Sequence, residues 1–354
     1  MRAQLRALVS ASLRHDRDVL HIETHIERDP GDALVVSLAS GCQMVECRDE
    51  DGSPLAWRHE DDRLTLLGSH DVSRVRIAYA VPVGARAGLL PDQPWLARPA
   101  VGDFHVAITT AWATGGGGLV CGTDPHHGIP LVVAWPPDDE PRLHVEVRQG
   151  EVVAADRRAG REITRILQTL TGWLGPIDDV SIVDVAVPGA YAYSYPGVIA
   201  VHPGLLDFHA TLFGQFLPHE LSHQWFGNRV RFTGAGFLWP QECLPEALQA
   251  LYVRERWGNA AYDLITRSYF RQDAAHRLQQ LLSVGPAERA GLSLESYHDL
   301  LAVGTRWWLS AFHADARALH DIVRALAVEP AEFTGAQVVA LVREAVDIDP
   351  AALP

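Results

Sequence analysis

The segment PHELSHQWFGN, residues 218 to 228, limits the possible folds of this chain more than any other part of its sequence. His219 and His223 are four residues apart, so on a helix they project from one face with their imidazoles close enough to share an ion. Glu220 follows the first histidine and can reach a water molecule on that ion. Because HExxH supplies two metal ligands and a general base, a third ligand has to come from elsewhere in the fold.

The segment WPQECLPEALQ, residues 239 to 249, supplies a candidate for that third ligand. It is typical of a helix start, with Pro245 tolerated in the first turn. Glu242 follows His223 with eighteen residues between them and would complete His2Glu coordination of one zinc ion, leaving the fourth position open. Glu246 lies one turn further on the same face, where it can accept a hydrogen bond from the outer nitrogen of a ligand histidine. The alternative is that both glutamates form a solvated helix face.

Two patterns of apolar residues divide the chain. Up to about residue 150 it contains short strand-like runs, such as VLHIETHIE and VRIAYAV, separated by turn-forming segments such as DPGD and DGSP. From residue 151 helical spacing dominates, as in AADRRAGREITRILQTLTGWLG with its closing glycine, apart from a strand pair near VSIVDVAV and GVIAV. A chain of 354 residues exceeds the usual size of a single core, about 250 to 300 residues. We therefore expect an α+β multidomain protein, with a β-rich domain at 1–150 and a mainly helical domain at 151–354.

Charge and hydropathy exclude two classes of partner. The formal net charge is −14 and lysines and arginines form no separate cluster, so we expect no nucleic acid partner. No run of eighteen apolar residues and no signal-peptide core occurs, so we expect a cytoplasmic protein without a membrane span.

The metal motif and its surroundings resemble a known family. HELSHQWFGN, eighteen further residues and Glu242 are similar to the HExxH-x18-E signature of the zinc aminopeptidases typified by aminopeptidase N, the gluzincin metallopeptidases. The residues 224–228, QWFGN, are not needed for coordination, so their agreement is independent support. The resemblance implies a β-rich N-terminal domain, a thermolysin-like catalytic domain, one zinc ion and Glu220 as the base. By this resemblance we expect a short member of the family, without the large C-terminal helical domain that many members carry.

The family also uses a tyrosine, in a Y-x-K-G segment, to donate a hydrogen bond to the tetrahedral oxyanion. The resemblance makes Tyr297 the candidate for this role, although Asp299 and Leu300 replace the lysine and glycine. Tyr269 is the second candidate, and a merely packed tyrosine is the alternative.

One family motif is altered. Members recognise the free α-amine through the glutamate of a G-x-M-E-N strand, for which this chain has PGAYAYSYPGVIAV. Depending on the alignment, Ala192 or Ser194 stands at the glutamate position, and no acidic residue occurs between Asp184 and Asp207. The strand can still bind an extended substrate by edge pairing. The substrate-binding candidates are Gly189, Ala190, Ala192, Tyr193, Ser194 and Tyr195.

These observations favour a zinc-dependent hydrolase of a peptide or small-molecule amide. One hypothesis is a peptidase of aminopeptidase type with an altered amine site. A second is a specialised amidohydrolase or deacylase, including one of a biosynthetic pathway, that acts on a compound without a free α-amine. A third is a binding protein that keeps the fold without catalysis, although His219, Glu220, His223 and Glu242 are all present.

Overall fold

The structure of the protein is a computed structural model. It describes residues 6–17, 19–31, 33–82, 87–89, 93, 95–100, 103–114, 118–122, 131–186, 191–267, 269, 280–285, 288–289, 291–314, 316–327 and 331–345. The chain forms two compact units. The first comprises Met1–His144 and Ser181–Pro203, and the second Val145–Val180 and Gly204–Pro354. Helices and strands both occur in quantity, as an α+β protein requires.

The described strands and helices follow in chain order. The strands are β1 Arg6–Asp16, β2 Val19–Glu27, β3 Val35–Ser37, β4 Gln43–Arg48, β5 Trp57–Glu60, β6 Arg63–Leu66, β7 Arg74–Pro82, β8 Ala87–Leu89, β9 Arg98–Pro99, β10 Asp103–Thr114, β11 Gly118–Cys121, β12 Val132–Trp135, β13 His144–Arg148, β14 Glu151–Ala154, β15 Val180–Asp184, β16 Ala192–Tyr195, β17 Val198–Val201, β18 Val230–Thr233 and β19 Ala331–Thr334. The helices are α1 Arg157–Leu174, α2 His209–Thr211, α3 Leu217–Ser222, α4 Leu244–Trp257, α5 Asn259–Thr266, α6 Leu294–Ala314, α7 Ala316–Ala327 and α8 Gly335–Ala345.

The first unit is built from β-sheets. A five-stranded sheet has the order β10-β1-β2-β7-β4, in which β1 pairs parallel with β10 and antiparallel with β2. A four-stranded sheet has the order β5-β6-β3-β9 and a three-stranded sheet the order β11-β12-β8. Alternate residues of β2 are buried, because Leu20, Ile22, Thr24 and Ile26 point into the core while the residues that alternate with them are only half-buried. The period-two pattern of VLHIETHIE therefore forms a strand, as predicted.

A later part of the chain also belongs to the first unit. β17 pairs parallel with β15 and antiparallel with β16, which places β16 at the outer side of this group of strands. Val183 and Val198 pack in one apolar cluster with Trp135 and other residues from β11 and β12. Ser181–Pro203 thus joins the β-rich unit although α1 precedes it in the sequence.

The second unit is mainly helical and begins with a hairpin of β13 and β14. In α1 the apolar residues Ile163, Ile166 and Leu170 are buried. Asp156 caps this helix by accepting a hydrogen bond from the backbone N–H of Arg158, and the N–H of Gly175 closes it on Thr171. Helix α1 packs against α3 and α7, while α4 packs against α3, α5 and α6. No described helix is long and apolar enough to cross a membrane.

Candidate metal centre

Helix α3 carries His219, and His223 follows as the C-cap residue of the same helix, one turn further on. The Nε2 atoms of His219 and His223 are 3.1 Å apart, and their ring centroids are separated by 4.8 Å. Two nitrogens of a tetrahedral zinc site, each about 2.0 to 2.1 Å from the ion, lie about 3.3 Å from each other. The histidine pair therefore fits one zinc ion.

Glu242 completes the group. Its Oε2 lies 3.6 Å from Nε2 of His223 and 3.9 Å from Nε2 of His219. One candidate ligand atom from each of the three residues can be chosen so that all lie within 4.8 Å of one another. Two nitrogens and a carboxylate oxygen are ligand types that zinc accepts, and a small closure of this triangle would give tetrahedral spacing. The structure thus brings together the three residues that the sequence predicts as ligands.

A π-helical segment precedes each of the helices α3 and α4. Residues Leu212–Phe216 and Trp239–Cys243 are π-helical, and Glu242 lies in the second of these segments. In the first, the N–H of Leu217 bonds to the carbonyl of Leu212, five residues back. A proline follows each segment at the second position of the next helix, and the proline ring would clash with the carbonyl four residues back in a regular α-helix. A π turn relieves this conflict, and such turns are frequent at functional sites.

Each histidine has a partner for its outer nitrogen. The Nδ1 of His223 donates a hydrogen bond to the backbone carbonyl of Phe226, at 3.0 Å. The Nδ1 of His219 is in close polar contact with Oε2 of Glu246, at 2.9 Å, without the angles of a regular hydrogen bond. Such partners fix the ring orientation and leave Nε2 as the ligand atom. Glu246 therefore stands where the sequence predicts it, beside a candidate ligand.

The residues after the second histidine form the turn that holds it. Trp225 and Phe226 are fully buried, and the indole N–H of Trp225 donates to the carbonyl of Pro176. Gly227 has a φ of +104°, and a Cβ there would lie 3.5 Å from Nδ1 of His223 and 3.3 Å from Cγ of Gln241. A side chain at this position would be strained in conformation and would press on the side chain of Gln241. The QWFGN segment thus has a structural role that does not depend on metal coordination.

Charge and burial shape the protonation of the group. Burial raises the pKa of Glu220, and the two histidines offset this only in part. For Glu242 burial also acts upward, but His223, His219 and Arg289 outweigh it and lower the pKa below its ordinary value. Burial lowers the pKa of His219, yet Glu246, Glu220 and Glu242 reverse this and raise it to about 9. Of the carboxyl groups of Glu220 and Glu242, that of Glu220 is thus protonated more readily.

The two tyrosine candidates occupy different environments. The hydroxyl of Tyr269 donates a hydrogen bond to Oε1 of Glu246. Tyr297 lies near the start of α6, with the guanidinium carbon of Arg289 5.5 Å from its ring centroid. Burial raises the pKa of Tyr297, and the negative charge of Glu242 raises it further. The hydroxyl of Tyr269 is therefore already bonded to Glu246, beside the candidate ligand His219. Tyr297 is instead affected by the negative charge of the third candidate ligand, Glu242.

The predicted substrate-binding residues belong to the first unit. Gly189 and Ala190 lie outside the described residues. The other four form β16, in which Ala192, Tyr193 and Ser194 are half-buried and Tyr195 is buried. Tyr195 belongs to the apolar cluster of Val183 and Val198, and Tyr193 packs against that cluster. Both tyrosines of β16 thus take part in strand packing.

Two features of the centre were not identified from the sequence. One is the carbonyl of Phe226, which carries no side-chain signal, although its spacing of three residues from His223 fits a helix end. The other is the bond from Tyr269 to Glu246, because twenty-three residues separate the two along the chain. Only Tyr269's position downstream of the motif marked it as a candidate, and for a different role.

Comparisons with known proteins add the fold. The sequence matches no protein-family model and no curated protein. A mutant M1 zinc metallopeptidase from Deinococcus radiodurans, bound to a Tyr-Ser-Ala substrate, is 13% identical with a TM-score of 0.56, covering 99% of this chain and 93% of that one. Another M1 zinc metallopeptidase structure from the same organism is 16% identical, with a TM-score of 0.54 and coverage of 97% and 91%. Native leukotriene A4 hydrolase from Saccharomyces cerevisiae is 13% identical, with a TM-score of 0.55 and coverage of 96% of this chain but 65% of that one. The chain therefore shares its fold with the M1 zinc metallopeptidases and with leukotriene A4 hydrolase.

Proposed function

We propose that the chain is a zinc-dependent hydrolase that cleaves a peptide or amide bond, in the manner of an aminopeptidase with an altered amine-recognition site. The observation that carries the proposal is the group of His219, His223 and Glu242, with the buried Glu220 directly after His219 in α3. The fold supports it, since the matched proteins are named as zinc metallopeptidases and as leukotriene A4 hydrolase.

The protein groups divide the chemistry among them. When bound, zinc supplies Lewis acidity and lowers the pKa of a water molecule. His219 and His223 would hold it through Nε2 and Glu242 through a carboxylate oxygen. The carboxylate of Glu220 would accept a proton from the attacking water and return it to the leaving nitrogen. Because burial raises the pKa of Glu220, this carboxyl can keep the proton between the two steps.

Tyr297 is the proposed oxyanion donor. Burial and Glu242 both raise the pKa of its hydroxyl, so the proton stays in place at neutral pH and can be shared with a developing negative oxygen. Tyr269 is less suited to this role, because its hydroxyl already donates to Glu246.

The choice of substrate depends on the altered motif. No acidic residue occurs between Asp184 and Asp207, and Asp184 is fully buried with Oδ1 accepting a hydrogen bond from the N–H of Leu143. An ammonium group that loses a charged hydrogen bond binds more weakly by about 1.5 to 3 kcal/mol, or roughly ten- to a hundredfold. This absence favours a second candidate, a deacylase or amidohydrolase whose substrate lacks a free α-amine. The aminopeptidase-like candidate requires a carboxylate from another segment.

A turnover assay tests the proposal. Zinc-loaded protein is offered matched peptides with free and N-acetylated termini, and Glu220→Gln serves as the blank. We expect hydrolysis by the wild type, and Glu220→Gln should retain one equivalent of zinc but lose turnover. Cleavage of free peptides alone indicates an aminopeptidase, while cleavage of blocked substrates indicates a deacylase or endopeptidase. Near-normal activity of Glu220→Gln contradicts the mechanism.

A further inference from the structure

Tyr269 is joined to the metal group through a single carboxylate. Its hydroxyl donates to Oε1 of Glu246, and Oε2 of the same carboxylate lies 2.9 Å from Nδ1 of His219. We propose that Tyr269 is a positioning residue for the metal, which holds Glu246 so that Glu246 aims the Nε2 of His219 into the ligand group. The inference rests on the proposed zinc site but not on the reaction catalysed there.

The carboxylate of Glu246 is held on both of its oxygens. A carboxylate bonded through one oxygen can rotate about its side chain, whereas engagement of both oxygens fixes its plane. With the O and N atoms of its side-chain amide exchanged, Gln249 places its nitrogen 3.2 Å from Oε2 of Glu246 and 3.1 Å from the carbonyl oxygen of Gln215. Gln249 is itself buried, at 5% exposure. The donor from Tyr269 is the contact that holds Oε1.

Burial makes this contact costly to lose. The side chains of Glu246 and His219 are only 21% and 16% exposed, so water does not readily replace a missing donor. A buried carboxylate with an unpaired oxygen is unstable and moves toward another partner or toward solvent. Removal of the Tyr269 hydroxyl should therefore displace Glu246, and with it the imidazole that Glu246 orients.

The two histidines differ in how they are held. A backbone carbonyl, that of Phe226, orients His223, and no side-chain substitution removes it. His219 depends instead on a chain of two side chains, Glu246 and then Tyr269. A change at Tyr269 should consequently alter one ligand and leave the other in place. This predicts weaker and distorted metal binding rather than its complete loss.

The first measurement is the zinc affinity of the full-length Tyr269→Phe variant, obtained by competition with a chelator. We expect zinc binding to weaken about tenfold, at the lower end of the range for lost outer partners of a ligand. Tyr262→Phe is the matched control, because its hydroxyl contacts His313 Nε2 at 3.0 Å, away from the metal group, and its zinc affinity should equal that of the wild type. The visible spectrum of the cobalt-substituted protein should change in Tyr269→Phe and not in the control.

A double-mutant cycle separates the relay from a general packing effect. Glu246→Gln should weaken zinc binding by about ten- to a hundredfold. If Tyr269 acts through Glu246, adding Tyr269→Phe to that variant should cause little further loss. Full additivity of the two changes, or an unchanged affinity and cobalt spectrum in Tyr269→Phe, overturns the inference.

A rescue variant keeps the test decisive if Tyr269→Phe folds poorly. Replacement of Tyr269 by p-aminophenylalanine restores an N–H donor at nearly the same reach and should return zinc affinity toward the wild-type value. If this folded variant binds zinc no better than Tyr269→Phe, the result counts against the relay. Where Tyr269→Phe does not fold, Glu246→Gln takes its place in the comparison. Because only metal binding is measured, absence of peptide hydrolysis would overturn the proposed function and leave this inference standing. Failure of the wild type to bind one equivalent of zinc would overturn both.

Discussion

Tyr297 shows how one residue can be prepared for a role by its surroundings. Burial and the negative charge of Glu242 both disfavour its phenolate, and the Arg289 guanidinium carbon lies 5.5 Å from its ring centroid. A neutral hydroxyl in a largely dry position is a better hydrogen-bond donor to a developing oxyanion than one exposed to water. The shift in pKa thus agrees with donation rather than with proton transfer from the tyrosine.

We expect Tyr297→Phe to lower kcat by about a hundred- to a thousandfold, as for the loss of an oxyanion donor. Zinc content should stay at one equivalent, because no candidate ligand is changed. The measurement is steady-state kinetics beside metal analysis, with Tyr262→Phe as a control that removes a tyrosine hydroxyl elsewhere in the second unit. A kcat for Tyr297→Phe equal to that of the wild type would assign the tyrosine to packing.

Single residues also show what could be predicted from the sequence. The grouping of His219, His223 and Glu242 could be predicted because candidate metal ligands are particular residue types at characteristic spacings. The relay through Tyr269 could not be predicted, since a contact across twenty-three residues depends on how segments pack. The sequence also could not identify which residue stands in place of the amine-binding glutamate, because two alignments of one strand place different residues there.

At the level of elements, α6 supports the segment that carries Glu242. The indole N–H of Trp308 donates to the carbonyl of Trp239, and their rings stack with centroids 4.5 Å apart. Gly304 lets the helix come close, because a Cβ at this position would lie 2.4 Å from Sγ of Cys243 and 2.7 Å from a methyl carbon of Leu281. The position of Glu242 therefore depends on a helix that contains none of the candidate ligands.

We expect Gly304→Ala to destabilise the protein by about 1 to 3 kcal/mol through overpacking against Cys243. Zinc affinity should fall as well, since Cys243 adjoins Glu242. The matched control is Gly172→Ala in α1, where nothing lies within 4 Å of the added Cβ. That change should stabilise by about 0.5 to 1 kcal/mol, the usual difference between alanine and glycine in a helix. Urea unfolding and a zinc titration of both variants give the result, and similar stabilisation by both would show that α6 can move away freely.

At the scale of the whole molecule, local sequence patterns predict which segments form strands or helices better than they predict which segments pack into one unit. The strand-rich and helix-rich parts follow from periods of two and of about three and a half residues. Ser181–Pro203 nevertheless belongs to the first unit, because β15 and β17 bury their apolar residues with those of β11 and β12. Short fully buried strands such as VIAV carry no periodicity that indicates which core they will join.

The metal group lies wholly within the second unit, so zinc should act as a ligand of the folded state of that unit. Zinc at about one hundred times its dissociation constant should add about 2.7 kcal/mol to the free energy of unfolding. For a unit of this size that corresponds to an increase of roughly 5 to 10 °C in the unfolding temperature. Binding of zinc to the 17 histidines and four cysteines of the unfolded chain would reduce the shift.

Calorimetry of the zinc-depleted and zinc-loaded protein measures this difference, and two variants identify its origin. Glu242→Ala should lose the zinc-dependent increase, because one of three candidate ligands is removed. Glu220→Gln should keep it, because that residue is proposed to move protons and not to hold the metal. An equal increase in Glu242→Ala would place the zinc elsewhere in the chain. Loss of the increase in Glu220→Gln would make Glu220 part of the metal site and would leave the proposed reaction without its base.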